Sequence, residues 1–429
     1  MKVNIITLGC SKNTVDSEHL AAIYRQQGHQ VFFDRDTNDC DLVAINTCGF
    51  IGDAKEESVN TILQQIEAKA AFNRRHRRDG RQRRLEVFGC LVARYRDDLR
   101  AEMPEVDDWQ GCLDLDITQQ RCLSTPQHYA YLKIAEGCNR HCSYCAIPAI
   151  RGAHRSRPIE QILDEARSLV AQGVRELIVI AQDTTYYGLD LYGRRTLGTL
   201  LDRLATESGA QWIRLHYTYP ASFPLDAIEA IRRHDNICNY IDIPLQHIST
   251  PILHSMQRGI DRQGTLDLLD HFRALLPDAC IRTTLIVGYP GETEQQFDEL
   301  LDFVRQARFD RMGCFAYSPE EGTPAEALGD PVPDNVKQQR VSRLMALQEQ
   351  ISLEKNQSRV GHEYRVLIDR REGDCLIART QYDSPDIDDE VIIQAPSDSG
   401  AQVPKPGDFC QVRITQALEH DLYAEICEL

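Results

Sequence analysis

Strand-like and helical patterns alternate without interruption between residues 129 and 317, and this alternation restricts the fold more than any other feature of the chain. The apolar runs that predict strands are Tyr129–Ala135, Glu176–Ala181, Trp212–Tyr217, Tyr240–Ile243, Cys280–Val287 and Met312–Tyr317. The segments with helical spacing between them are Ile159–Gln172, Leu197–Thr206, Leu225–His234, Gly264–Leu275 and Glu294–Ala307. Six strands linked by five helices predict a parallel, partly closed (β/α)6 barrel. Right-handed crossovers place the carboxyl end of every strand at one mouth of such a barrel.

The segments on either side of this alternation predict two further domains. Residues 1–122 alternate strand and helix signals on a smaller scale, which is typical of an open parallel α/β sheet. Beyond Pro331 and Pro333, Val336–Lys355 has the pattern of one long helix that ends the central domain, 123–357. Five short alternating segments follow, separated by Gly, Pro and Asp. They predict a small all-β barrel over residues 358–429.

Three cysteines follow the first strand of the predicted central barrel directly. Cys138, Cys142 and Cys145 have CxxxCxxC spacing, and no fourth cysteine follows them at short range. A four-thiolate site would be closed, whereas three thiolates on a [4Fe–4S] cluster leave one iron free for another ligand. We therefore expect these cysteines to bind an open-site iron–sulfur cluster. A zinc site completed by His141 or His154 is the alternative.

The triplet and the barrel behind it resemble the radical S-adenosylmethionine (SAM) superfamily. The resemblance implies that SAM binds the free iron and is cleaved to a deoxyadenosyl radical. Gln182 and Asp183, after the second strand, match the position that contacts the amino group of SAM in that superfamily. Tyr144 matches an aromatic position beside the adenine, and Ile286 lies in a segment similar to the motif along the adenine. From the residues alone, an ordinary polar loop at the end of a strand remains the alternative for Gln182 and Asp183. A side chain of the barrel core remains the alternative for Ile286.

Three more cysteines end predicted strands of the N-terminal domain, and each has a glycine neighbour. They are Cys10, Cys48 and Cys90. The carboxyl ends of parallel strands line a common crevice, so the three thiols could converge on a second cluster. Their wide separation in sequence leaves three buried thiols as an open alternative.

The segments around these cysteines, Leu8–Glu18, Asn46–Ile51 and Phe88–Cys90, resemble the N-terminal domain of the methylthiotransferases. That family joins this domain to a radical SAM core and a C-terminal TRAM barrel, so the resemblance covers the whole chain. It implies two [4Fe–4S] clusters, with Cys10, Cys48 and Cys90 holding the auxiliary one. It also implies transfer of a methylthio group to an unactivated carbon.

Two branches of this family differ in substrate. Cys10–Asn13, Ala181–Thr184 and Tyr317–Ala325 resemble the branch that modifies the β-carbon of an aspartate in ribosomal protein S-twelve of the small subunit. Residues 361–429 carry 6 basic and 15 acidic residues, which favours a basic protein over a nucleic-acid backbone as the partner. A tRNA adenosine methylthiotransferase remains an alternative. A non-catalytic, metal-binding RNA adaptor is an alternative of another class.

Composition adds a few expectations about the rest of the chain. The first residues show no signal-peptide pattern and no apolar run is long enough to span a membrane, so we expect a soluble, cytoplasmic protein without a membrane partner. No general acid or base is evident, and the sequence identifies neither the electron donor nor the sulfur donor. The basic run 74–84 could contact ribosomal RNA, but a solvated, flexible loop is the preferred interpretation. We expect buried core thiols at the nine remaining cysteines, namely Cys40, Cys112, Cys122, Cys238, Cys280, Cys314, Cys375, Cys410 and Cys427.

Overall fold

A computed structural model describes residues 1–35, 39–113, 120–394 and 403–428. Its N-terminal region is a parallel five-stranded sheet in the order β2-β1-β3-β4-β5. β3 is buried along its whole length, as a central strand of a parallel sheet should be. The predicted open α/β sheet is thereby confirmed. The elements of this region are β1 (Lys2–Thr7), α1 (Ser11–Gln26), β2 (Gln30–Phe33), β3 (Leu42–Thr47), α2 (Gly52–Arg75), β4 (Arg84–Gly89), α3 (Cys90–Glu102) and β5 (Asp108–Trp109).

The central region is the predicted partial barrel. Two parallel three-stranded sheets, β6-β9-β10 and β11-β12-β13, form one curved wall, because Ile213 of β10 exchanges backbone hydrogen bonds of 2.8 Å with Asn236 and Cys238. The strands are β6 (Tyr129–Lys133), β7 (Ala135–Glu136), β8 (Arg155–Ser156), β9 (Glu176–Ile180), β10 (Trp212–Leu215), β11 (Tyr240–Asp242), β12 (Cys280–Val287) and β13 (Arg311–Ala316). The helices are α4 (Ile147–Arg151), α5 (Ile159–Ala171), α6 (Leu189–Tyr192), α7 (Leu197–Glu207), α8 (Leu225–Arg233), α9 (Thr250–Ser255), α10 (Arg262–Leu275) and α11 (Glu294–Ala307), with short 3-10 turns at Thr184–Tyr186 and Pro324–Leu328.

The two faces of β6 show how the N-terminal region docks on this barrel. Ala130 and Leu132 belong to the main core that the barrel strands share with the surrounding helices. Tyr129 and Tyr131 alternate with them and pack on the opposite face, beside Val15 of α1. The first helix of the N-terminal region therefore lies against the face of β6 that the barrel helices leave uncovered.

The C-terminal region closes the opposite end of the barrel. α12 (Asp334–Gln357) leads into a closed five-stranded barrel whose strands are β14 (Glu363–Glu372), β15 (Cys375–Thr380), β16 (Glu390–Gln394), β17 (Phe409–Ala417) and β18 (Asp421–Glu428). Leu367 and Phe409 pack on residues at the amino ends of β10, β11 and β12. This arrangement confirms the predicted small β-barrel.

An acidic loop between β15 and β16 enters the base of the central barrel. Asp383 bonds Arg311, and the hydroxyl of Tyr240 donates a 2.7 Å hydrogen bond to Asp388. Asp383 is buried, and the side chain of Asp388 is 1% exposed. Part of the negative charge counted over residues 361–429 therefore faces inward, and the outer surface of this barrel is less acidic than its composition suggests.

Some features of the described residues were not predicted from the sequence. β2, β5 and α3 had no clear pattern, because β2 and β5 are very short and α3 is rich in charged residues and kinked at Tyr95 (φ −131°). The basic run spans the end of α2, a turn and the start of β4, and most of its arginines are exposed. Arg83 differs from them, since it is buried with its guanidinium 4.5 Å from the Phe72 ring.

The single cysteines divide into three groups. Cys40, Cys238, Cys280 and Cys410 are buried, as expected of core thiols, while Cys112, Cys122, Cys314 and Cys375 are half-buried. Cys427 is exposed, so the expectation of a core thiol is wrong there. None of the helices in the described ranges has the length and apolar character needed to cross a bilayer.

Candidate functional site

The CxxxCxxC loop lies at the carboxyl-terminal mouth of the barrel. It begins after the β7 strand and is closed by hydrogen bonds from the Cys138 N–H to the Gly152 carbonyl and from the Cys145 N–H to the Cys142 carbonyl, both 3.1 Å. Gly137 precedes the loop with φ +77°, and a Cβ there would lie 2.6 Å from the Gly152 oxygen. Only glycine fits that turn, which aims the three thiols into the mouth of the barrel.

Donors surround the sulfur atoms of this first triad. The Arg140 N–H lies 3.4 Å from Cys138 Sγ, and Arg258 Nη1 lies 3.3 Å from Cys142 Sγ. Burial raises the pKa of Cys138 to about 11 and that of Cys145 to about 12. Thiolates at these positions therefore require positive partners, which Arg258 supplies at Cys142 and a bound metal would supply at all three.

The second triad is assembled from three neighbouring strands of the N-terminal sheet. Cys10 follows β1 and precedes α1, Cys48 follows β3, and Cys90 follows β4 as the first residue of α3. Because β1, β3 and β4 are adjacent and parallel, their carboxyl ends meet at one edge. The structure thus brings together the three cysteines that lie about 40 residues apart in sequence.

Glycines make the close approach of these strand ends possible. A Cβ on Gly9 would lie 2.8 Å from the Cβ of Cys48 and 3.1 Å from its sulfur. A Cβ on Gly49 would lie 2.9 Å from the carbonyl carbon of Cys90. Side chains at these glycines would push the three cysteines apart, so the local sequence fits a shared ligand held by three soft thiolates.

A buried ion network joins the second triad to the central region. Arg151, at the end of α4, donates from Nε and Nη2 to Cys90 Sγ, both at 3.2 Å. Its Nη1 lies 2.8 Å from Asp16 of α1 and 3.3 Å from Glu136 of β7. Lys133 bonds the same two carboxylates. Two cations and two carboxylates are therefore paired beneath Cys90, at the contact between the two regions.

The same network reaches the first triad. Glu136 lies two residues before Cys138, and its carboxylate accepts a hydrogen bond from Gln182. Burial by itself raises the pKa of Glu136, but Lys133 and Arg151 outweigh it and lower the pKa to about 2. Glu136 is thus a fixed negative charge between the two triads.

The four residues predicted to contact SAM lie at this mouth, and their surroundings differ. Asp183 is fully engaged, since it accepts from Thr185 and from Arg140 Nε at 2.7 Å. Gln182 keeps a buried side-chain oxygen without a hydrogen-bond partner. Tyr144 and Ile286 pack against one apolar cluster, and the Tyr144 hydroxyl lies 3.2 Å from Arg258.

Several residues at the site were not singled out from the sequence. Arg151 and Arg258 each contact a triad sulfur, and Tyr219 stacks between Arg140 and Arg258, with its ring centroid 3.9 and 4.2 Å from their guanidinium carbons.

Cys112, expected to be a core thiol, lies at the edge of the second triad. A hydrogen bond with Cys112 and the charge of Arg151 lower the pKa of Cys90 to about 6.

The geometry of the histidines bears on the zinc alternative. His154 Nε2 lies 3.1 Å from Ser156 Oγ, and its ring packs on Tyr186. Within the part of the chain that the structure describes, no three His, Cys, Asp or Glu side chains form a group that could hold a single metal ion.

Family models match each of the three regions. Residues 132–304 match the radical SAM superfamily, and residues 360–427 match the TRAM domain. Residues 2–111 match the uncharacterized protein family UPF0004.

Curated relatives match the full chain under one name, ribosomal protein uS12 methylthiotransferase RimO. The relative from Flavobacterium johnsoniae is 50% identical and covers 99% of this chain and 98% of its own length. The relative from Phocaeicola vulgatus is 49% identical over 99% of both chains. The relative from Porphyromonas gingivalis is 48% identical over 100% of this chain and 99% of its own.

Solved structures show the same fold at low identity. The radical SAM methyltransferase TsrM from Kitasatospora setae aligns with a TM-score of 0.52 and 12% identity, covering 87% of this chain and 79% of its own. The cobalamin-dependent SAM radical enzyme OxsB aligns with a TM-score of 0.51 and 11% identity, covering 80% of this chain and 56% of its own. Relatives of about 50% identity over the full length establish the family, and their names together with the radical SAM match favour an enzyme over the non-catalytic adaptor. The chain belongs to the RimO family of radical SAM methylthiotransferases, transferases that use SAM and a [4Fe–4S] cluster.

Proposed function

We propose that this protein attaches a methylthio group to the β-carbon of an aspartate in ribosomal protein uS12, the S-twelve protein of the small subunit. The observation that carries the proposal is the pair of three-cysteine sites, which the Arg151 network links across one contact. The full-length relatives named for uS12 support this choice of substrate.

Cys138, Cys142 and Cys145 are the proposed ligands of the radical cluster, and Cys10, Cys48 and Cys90 those of an auxiliary [4Fe–4S] cluster. When bound, the clusters and SAM supply the radical and the sulfur chemistry. The donor sets fit, because each triad offers three thiols and an arginine contacts one sulfur in each. We place the three domains at 1–122, 123–357 and 358–429.

The proposed SAM contacts follow from the surroundings of the four predicted residues. The free oxygen of Gln182 can accept a hydrogen bond from the amino group of SAM. Tyr144 and Ile286 offer an apolar wall to the adenine. Asp183 acts through Arg140, which it orients toward the cysteine loop.

The N-terminal region excludes water from the barrel mouth. Lys55 and Arg94 both pair with buried Glu320, at 2.8 and 3.1 Å, in the segment that follows β13. Ser11 Oγ lies 3.3 Å from the Tyr217 hydroxyl after β10. Contacts on both sides of the mouth hold the second triad over it, which protects a radical from side reactions.

The partner in this proposal is a basic ribosomal protein, reached in the cytoplasm within the small subunit. The acidic C-terminal barrel supports electrostatic attraction to such a protein. Asp383 and Asp388 do not contribute to that surface charge, because they make internal contacts. The exposed arginines of the basic run could contact RNA beside the substrate.

The test is mass spectrometry of uS12 from cells with and without the gene for this chain. The proposal predicts that uS12 lacks one methylthio group in the deletion strain, that the gene restores it, and that a Cys142→Ala copy does not. An unmodified uS12 in both strains, together with methylthioadenosine lost from tRNA, would support the tRNA branch instead.

A further inference from the structure

Three lysines are buried in the described part of the chain, and one of them lacks a counter-ion. Lys133 is 2% exposed and pairs with Asp16 and Glu136, and Lys337 is 2% exposed and pairs with Asp330 and Asp334. Lys12 is 7% exposed, yet no described carboxylate lies within 4.0 Å of its ammonium. Lysine is almost never buried without a partner, because an uncompensated charge loses its hydration. The buried Lys12 ammonium therefore needs an anionic partner that the described residues do not supply.

The Lys12 ammonium has no hydrogen bond or ion pair within the described residues, and it lies against an aromatic face. Its Nζ lies 2.8 Å from the centroid of the Tyr217 ring. Such a contact offsets part of the lost hydration but provides no hydrogen-bond acceptor for the three N–H groups of the ammonium. Tyr217 has φ +57°, a conformation unusual for a non-glycine residue, and its N–H is held by a 2.7 Å hydrogen bond to Asp242. The platform beneath Lys12 is thus fixed in place.

The position of Lys12 links it to both triads. It lies in the first turn of α1, two residues after Cys10 of the second triad. Tyr217 follows β10 at the barrel mouth, where the first triad also lies. The unpaired ammonium therefore occupies the seam between the site of the sulfur and the site of the radical.

We propose that Lys12 binds the side-chain carboxylate of the target aspartate. This inference rests on the proposed function, in which that aspartate is the substrate. The carboxylate carbon of aspartate is bonded directly to the β-carbon, so an ion pair with Lys12 fixes the reacting carbon beside Cys10. The ion pair forms in a site shielded from water, where it supplies the missing counter-ion and disfavours a neutral side chain.

The methionine carboxylate of SAM is a second source of the same chemistry, and the experiment separates the two. It uses the iron-loaded Lys12→Gln and Lys12→Arg proteins, with Lys405→Gln as a control at an exposed lysine remote from the triads in sequence. The substrates are uS12 with the natural aspartate and uS12 with asparagine in its place. The readouts are the KM and kcat for methylthiolation, the Kd for SAM, and deoxyadenosine formed without uS12.

The inference predicts that Lys12→Gln raises the KM for the aspartate substrate on the order of 10-fold to 100-fold and removes most of the preference over asparagine. Lys12→Arg should recover part of it, Lys405→Gln should match the wild type, and SAM binding should not change in any variant. Equal iron content and unfolding temperature identify a folded variant. If Lys12→Gln fails that criterion, Lys12→Met, which keeps the packing of the stem, replaces it.

Two results would overturn the inference while leaving the proposed function intact. A wild-type KM and an unchanged preference in Lys12→Gln would show that no carboxylate contact is made. A weaker Kd for SAM with the preference retained would assign Lys12 to the cofactor. Failure of the wild-type protein to modify either form of uS12 would instead reject the proposed function itself.

Discussion

The two cysteine triads differ in how the chain builds them. Cys138, Cys142 and Cys145 lie in one loop between β7 and α4, so their relative positions depend on a few local turns. Cys10, Cys48 and Cys90 come from the ends of three strands and meet only after the N-terminal sheet has formed. The local triad is readable from its spacing, whereas the assembled triad is readable only once the strand order is known.

The arginines beside the triads differ in the same way. Arg258 bonds Cys142, the Pro244 carbonyl and the Tyr144 hydroxyl, all within the central region. Arg151 also belongs to the central region, but it bonds Cys90 and Asp16 of the N-terminal region. The assembled triad thus depends on docking between regions, and the local triad does not.

The largest expected effect separates the triads by chemistry. Cys142→Ala should abolish deoxyadenosine formation and remove about four of about eight irons, because a cluster with two thiolates is not retained. Anaerobic iron analysis and product chromatography measure both. Cys427→Ala, at an exposed cysteine, should match the wild type. Continued cleavage of SAM by Cys142→Ala would contradict the assignment of the local triad.

The next effect tests the dependence on docking. Arg151→Met leaves Asp16 and Glu136 with Lys133 alone, and loss of one partner from a buried ion network costs about 3–5 kcal/mol of unfolding free energy. Iron should be lost from the second triad while deoxyadenosine still forms. Denaturant unfolding of the iron-loaded protein measures the stability. Arg258→Met, which breaks no ion pair with a carboxylate, should instead impair the first triad.

The smallest effect tests the glycines that allow the strand ends of the assembled triad to approach closely. Gly89 has φ +102°, and a Cβ there would lie 2.7 Å from the Thr47 carbonyl oxygen, so Gly89→Ala should lower the unfolding free energy by about 2–4 kcal/mol. Gly80 also has a positive φ but has open space around it, so Gly80→Ala should cost about 1 kcal/mol. Equal unfolding midpoints for the two variants would show that the close approach does not matter.

Much of the fold could be predicted, because the barrel strands are apolar and the helices between them have regular spacing. β12 matches its predicted range, Cys280–Val287, at both ends, and α11 matches Glu294–Ala307. β2 was not predicted, because a strand of four residues shows no clear alternation of apolar and polar residues. α3 was not predicted, because a kinked, charged helix shows no regular apolar spacing. The first turn of α1, which begins at Ser11, is polar, so apolar spacing does not reveal where this helix starts.

The site was predictable only where its residues are close in sequence or share a motif. Arg151 lies 61 residues from Cys90, so no spacing reveals their contact. Lys12 lies in the segment Leu8–Glu18, which the sequence analysis identified, but its lack of a counter-ion is a property of the folded chain. Burial and missing partners are the signals that sequence patterns do not carry.

In the proposed function, the two triads divide the reaction between them. The most direct test is to mix uS12, SAM and a reductant with the wild-type protein or with the protein in which Cys10, Cys48 and Cys90 are all replaced by Ala, and to measure deoxyadenosine and methylthiolated uS12 together. We expect both products from the wild type, and deoxyadenosine without methylthiolated uS12 from the variant. Methylthiolated uS12 from the variant would contradict this division of the reaction.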